Sequence, residues 1–263
     1  MAVAPGLAQS PEVERLFPPQ PVGHVNDFAS LLDPASRDSL EDLLTRLQRA
    51  TSAEVAVVTL ATIDDRDEAE VALAIGRKWG VGARAEVGDP RRNAGLVLLL
   101  VPRQNHQPGT GHLRIEVGQG LEGIVTDATS GQIRREVMGP LLAREAYGPA
   151  LASGVQALSG VIAKGYGVTD STLGSTPLPA APSAGPGSQF VSLFPILLFI
   201  LFVVLSRRGG RRRRVYWGGG PWIGGGWGGG GFGGGGFGGG GGGGFGGFGG
   251  GGGFSGGGSG GRF

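Results

Sequence analysis

Cysteine is absent from the 263 residues. Its absence excludes disulfides, thiolate metal sites and cysteine nucleophiles, and leaves the compartment open. Histidine is scarce: His24, His106 and His112 lie in an arm and a loop, without the i, i+4 spacing of a helical metal site, and are expected to be solvated. No P-loop occurs, and no hydroxyl stands beside an evident base. Residues 1–10, MAVAPGLAQS, have neither the basic start nor the apolar core of a signal peptide. The small-x-small triplets Ala2-Val3-Ala4 and Gly6-Leu7-Ala8 resemble a cleavage region, so the expectation is a start inside a longer exported precursor. Beyond Trp217 almost every side chain is missing, because the sequence is glycine with sparse Phe and Trp. Such a segment lacks the apolar mass that offsets ordering entropy, so residues 207–263 are expected to be an Arg-rich, then Gly-rich disordered tail.

What is present falls into blocks. The formal charge of +2 hides an acidic part up to Gly167 and a stretch after Ser206 whose only charged residues are Arg. Residues 1–23 are Pro-rich and read as a flexible arm. Residues 24–167 carry all the core-forming pattern, and residues 168–187 form a Pro, Ser and Gly linker. Phe190 to Leu205, FVSLFPILLFILFVVL, has no charge, and Arg207, Arg208 and Arg211 to Arg214 follow it. With its flanks, 188–206, it is expected to be a single transmembrane helix. Its roughly 16 residues span only about 24 Å at 1.5 Å each. The arginines on one side place the tail in the cytoplasm and the folded domain outside.

Within the core-forming block, Asp33-Pro34 opens a helix whose Leu40, Leu43, Leu44 and Leu47 share a face. EVAVVTL from Glu54 is a buried strand. A second helix starts at Asp64 to Asp67, with Ala69, Ala72, Ile75 and Trp79 as its stripe, and ends at Gly80 and Gly82. LVLLLV from Leu96 is a second strand. Leu113, Ile115 and Val117 alternate with Arg114 and Glu116, which predicts a hairpin strand with one exposed face. Helical patterns follow, from Thr126 to a break at Gly139-Pro140, and from Gly148-Pro149 through Leu151, Val155, Leu158 and Ile162. The fold class expected is α/β: a small sandwich with a central mixed sheet flanked by helices.

Gly118-Gln119-Gly120-Leu121-Glu122-Gly123 matches G-x-G-x-x-G, but no second strand ending in an acidic residue follows. Gly118, Gly120 and Gly123, with Gly95 of the NAG turn, therefore read as structural loop glycines. Gly257 to Gly261 imitates a nucleophile elbow without a strand or helix around it, and carries no chemistry. Asp27, Asn93, Glu122 and Asp127 flank strand and helix ends and are candidates to converge as oxygen ligands. Ca²⁺ or Mg²⁺ would suit such a set, although the domain requires no cofactor to fold. The same residues read equally well as turn and cap residues. Arg208-Gly209-Gly210 is an isolated RGG unit, so no nucleic-acid partner is expected. Phe232, Phe237, Phe245, Phe248 and Phe254 read as adhesive points through which the tail self-associates.

VNDFASLLDP, EVAVVTL, a helix ending in KWG, NAGLVLLLV, LRIEVGQGLEGIVTD and AYGPAL, in this order, resemble the TPM domain family, especially its bacterial YgcG-like members. The resemblance covers about Val25 to Gly167. It implies an extracytoplasmic domain with one following membrane helix and a Gly-rich tail. RRNAG stands where members often have an acidic residue before Asn-Gly. Relatives are associated with photosystem repair, acid phosphatase activity, Ca²⁺ binding or channel modulation. The function expected is an accessory or binding module acting on envelope or membrane proteins, with a divalent-metal-assisted phosphatase as the alternative.

Overall fold

The computed structural model describes residues 12–86, 88–89, 91–170, 173, 245 and 247–263. Strands β1 (Val25–Asp27), β2 (Glu54–Thr59), β3 (Gly95–Val101), β4 (His112–Gly118) and β5 (Phe254–Arg262) form one sheet in that order. The first three are parallel, and β4 is antiparallel to both β3 and β5. Helices α1 (Pro34–Thr51) and α2 (Glu68–Trp79) connect the parallel strands. After β4 come α3 (Asp127–Gln132), a π-helical segment Ile133–Met138, α4 (Gly139–Leu142) and α5 (Tyr147–Gly165).

Local chemistry sets the helix starts. Asp33 accepts from Ser36 N at 3.0 Å and Pro34 needs no partner at the first helical position, so α1 begins there. Asp67, not Asp64, caps α2 by accepting from Ala69 N at 2.7 Å. Every residue of β2 and β3 is buried, because one apolar layer covers each sheet face. Leu40, Leu44 and Leu47 of α1 pack with Leu151, Val155 and Leu158 of α5 on one face, while Val71, Ile75 and Trp79 of α2 cover the other.

Four expectations are corrected. The arm is packed where it is described: Val13 and Phe17 are buried, and Trp79 Nε1 donates to Pro18 O at 2.9 Å. The polar face of β4 is not exposed, because α2 lies over it and Arg114 pairs with Glu116 beneath. His24 and His112 are buried rather than solvated; His112 Nδ1 lies 3.0 Å from Glu68 Oε2. The end of the tail is not disordered: residues 254–262 are the fifth strand, and they belong to the same compact unit as the domain. The apolar run 190–205, Phe232 and Phe237 lie outside the described residues. Among the described residues, no helix is long and apolar enough to cross a membrane.

Phe254 explains the last correction, since its ring enters the α2-side core and is only 3% exposed. Gly76 of α2 makes the room: a Cβ there would stand 2.6 Å from the Phe254 ring. Phe254→Ala in the full chain is expected to cost about 3 kcal/mol in denaturant unfolding, the usual loss for a buried Phe. A loss under about 0.5 kcal/mol, within the range of surface substitutions, would show that this ring is not part of the core.

Candidate functional site: the outer edge of β4

Strand β4 continues into Gly118–Gly123 at the end of the sheet where β3 begins. Backbone packs on backbone here. A Cβ on Gly95, Gly118 or Gly120 would lie 2.5 Å from Val81 O, 2.6 Å from Asn93 O or 2.2 Å from Arg92 O, whereas Gly123 is open. Asn93 holds a left-handed φ of 56°, and its carbonyl accepts from Gly95 N and Gly120 N. Asn93, Glu122 and Asp127 are thereby placed at this one end. Asp27 is not: it ends β1, three strands from β4 and at the opposite sheet end. Its two carboxylate oxygens accept from Leu31 N (3.0 Å), Leu32 N (2.9 Å) and the Thr59 hydroxyl (2.5 Å). It closes the turn after β1.

The other three residues face the chain's own last segment. Asp127 Oδ1 accepts from Gly258 N at 2.7 Å, Glu122 accepts from the Ser255 hydroxyl, and a Cβ on Gly253 would lie 2.2 Å from Asn93 Nδ2. Thr126, not Asp127, caps α3. Asp27 is elsewhere, and Glu122 and Asp127 each give one carboxylate oxygen to the last segment. No group of three or more His, Cys, Asp or Glu that could hold a metal ion occurs among the described residues.

What the site holds is an extended, nearly side-chain-free segment. Five guanidiniums donate to it: Arg84 to Gly250 O (2.6 Å), Arg77 to Phe254 O (2.9 Å), Arg114 to Gly256 O and Gly257 O (3.0 and 3.2 Å), Arg134 to Ser259 Oγ (3.0 Å), and Arg103 to Phe263 O (3.3 Å). Glu54 accepts from Gly249 N at 2.9 Å. Charged side chains thus serve backbone groups that a bare strand leaves unmet, and bonds to charged groups are roughly twice as strong as neutral ones. Glycine is required sterically as well. A Cβ on Gly258 would stand 2.0 Å from Ile115 O, at a φ of 117°. Aromatic rings fix both ends: Phe245 and Phe248 meet His24 edge-on at 4.9 and 5.7 Å, and the Arg103 guanidinium lies 5.7 Å from the Phe263 ring centre.

Of the residues that hold the segment, Glu54, Arg77, Arg84, Arg103 and Arg114 carry no motif. The only sequence signal is the break from uniform glycine to FSGGGSGGRF, with the sole serines after Ser206. Arg134 is partly desolvated beside Arg135, and both effects lower its pKa.

The fold is thus an α/β sheet whose β4 edge is covered by the chain's own glycine-rich last strand and lined with charge. The TPM domain model matches residues 25–161, just over half of the chain, and the chain belongs to the TPM domain family. The match ends before β5, so the strand is an addition to the matched region. The chain is also similar to the solution NMR structure of the N-terminal domain of a protein from P. gingivalis: 30% identity over 56% of this chain and 85% of that one, with a TM-score of 0.46. No curated protein matches it in sequence.

Beneath the segment, Glu116 is fully buried, and its Oε1 has no hydrogen-bond partner among the described residues. Burial raises its pKa, with Arg114 opposing the shift. A carboxyl whose pKa is raised by folding favours the fold while protonated, and that contribution is lost as pH rises through the folded value. The melting temperature of Glu116→Gln relative to the unsubstituted chain should therefore climb between pH 4 and pH 7, about the range over which a raised carboxyl titrates. A constant difference across that range would show that Glu116 is not shifted.

Proposed function

We propose that this protein is an accessory binding module of the membrane or envelope that captures extended, glycine-rich protein segments along β4. The observation that carries this reading is the seating of its own residues 247–263. Main-chain pairing supplies affinity, and side-chain pockets supply selection, as in other strand-addition modes. Phe254 is the anchor, Gly258 marks where no side chain fits, and the serines address Glu122 and Arg134. The tail's self-association takes the same form, a strand on β4, rather than loose contacts between Phe rings. A metal-assisted phosphatase is the alternative within the family; against it, Glu122 and Asp127 each bond the chain's own last segment.

The test uses the chain shortened to remove residues 245–263, which bares the β4 edge, and a fluorescent peptide of residues 247–263. Saturable binding is expected, weakened at least about tenfold (1.4 kcal/mol) by Gly258→Val in the peptide. Absence of binding, or equal binding of both peptides, overturns the proposal. Turnover of a phosphomonoester by the shortened chain, abolished by Asp127→Ala, establishes the alternative instead.

A further inference from the structure

At the end of β4 away from the glycine loop lies a cavity of about 250 Å³. It sits where β2 and β3 end and β4 begins, between the β2–α2 loop and the β3–β4 turn. Open α/β sheets bind small ligands in the crevice outside the carboxyl ends of their parallel strands. Strand capture along β4 leaves the side chains of this cavity unused.

Its lining is rich in acceptors. His112 lines the cavity, is only 8% exposed, and has Nδ1 3.0 Å from Glu68 Oε2. An ionised carboxylate only accepts, so the ring proton sits on Nδ1, and in the neutral imidazole Nε2 is left as an acceptor. Nε2 has no hydrogen-bond partner among the described residues. A buried polar atom left unmet is costly, and this one lies beside open space. Asp64 and Asp65 bring two carboxylates from the β2–α2 loop, and the Thr110 hydroxyl already donates to Gln107 O at 2.6 Å, which leaves it lone pairs to offer. These groups are not arranged as ligands of a metal ion, so the donor that suits them is an organic ammonium. Arg262 of β5 lines the same cavity, and its guanidinium has no hydrogen bond or ion pair among the described residues. A ligand that meets both kinds of group carries an ammonium and a carboxylate. The volume equals roughly eight waters at about 30 Å³ each, so those two charges must be close together.

We propose that this cavity binds a small zwitterion, a free α-amino acid, whose ammonium donates to His112 Nε2 and the Asp64–Asp65 carboxylates and whose carboxylate bonds the Arg262 guanidinium. Glu68 is the positioning residue that fixes the His112 tautomer. The site lies at the other end of β4 from Asn93, Glu122 and Asp127, and only Arg262 ties it to the last strand.

The test is calorimetric titration of the full chain with glycine, L-alanine and L-serine, and with ethanolamine and acetate as the separate charged halves. Saturable binding of at least one amino acid is expected, weakened at least about tenfold by Asp65→Asn and by Arg262→Gln, with each half weaker than the whole. Both positions are exposed, and an unchanged melting temperature shows that the fold is kept. Ethanolamine binding should fall with Asp65→Asn and not with Arg262→Gln, which separates the ammonium wall from the contribution of the last strand. In the ¹⁵N-labelled chain the Nε2 resonance of His112 should move on addition of the amino acid that binds. Absence of saturable binding, binding indifferent to both substitutions, or an unmoved Nε2 resonance overturns the proposal.

Discussion

An edge strand presents unpaired N–H and C=O groups, and these groups must find partners. On the β1 side the requirement is light, because β1 has three residues and Glu41 accepts from His24 N and Val25 N where the strand begins. On the β4 side it is heavy, because β4 has seven residues and most of them are buried. The rest of the structure depends on how that edge is closed. A strand with ordinary side chains would collide with Ile115 O, Asn93 and the Arg114 side chain, so a glycine-rich one closes it. The missing side chains are replaced from the domain, by guanidiniums on the carbonyls and carboxylates on the amides.

This closure also accounts for charges inside the sandwich. Arg114 and Glu116 sit on a strand face between β4 and α2, where a lone charge would be severely penalised. Arg114 divides its donors between Glu116 and the carbonyls of Gly256 and Gly257, so the seated β5 adds to its bonding. Arg77, on the helix above, is likewise completed by Phe254 O. The polar face of β4 and the last segment of the chain are therefore one unit energetically, although about 140 residues apart.

Much of the domain was legible in the sequence. The leucine spacing of α1, the Asp33-Pro34 start and the continuous apolar strands β2 and β3 follow from local periodicity and capping, and the structure has them within a residue or two. The glycines at 95, 118 and 120 read as loop glycines in the sequence, whereas Gly95 and Gly118 belong to β3 and β4 and what requires glycine at 118 and 120 is close packing on residues 92 to 94. The three residues of β1 were too short to carry a period. The strand β5 was illegible for a different reason: its contribution is backbone, and backbone pairing leaves no mark in hydropathy. Asn93, Glu122 and Asp127 were visible as a group, but the glycine segment they face was not, because composition alone assigns it to disorder. Asp27 was grouped with them on residue type, and the sheet order separates it.

The account turns on β5 occupying the outer edge of β4 in solution, and amide hydrogen exchange reads this directly. Exchange across residues 112–118 should be slow in the full chain. It should accelerate on removal of residues 245–263, while residues 96–100 of β3, paired on both sides by β2 and β4, stay protected. Equal protection of residues 112–118 in both chains would contradict the account, since the edge would then be closed by something other than this strand.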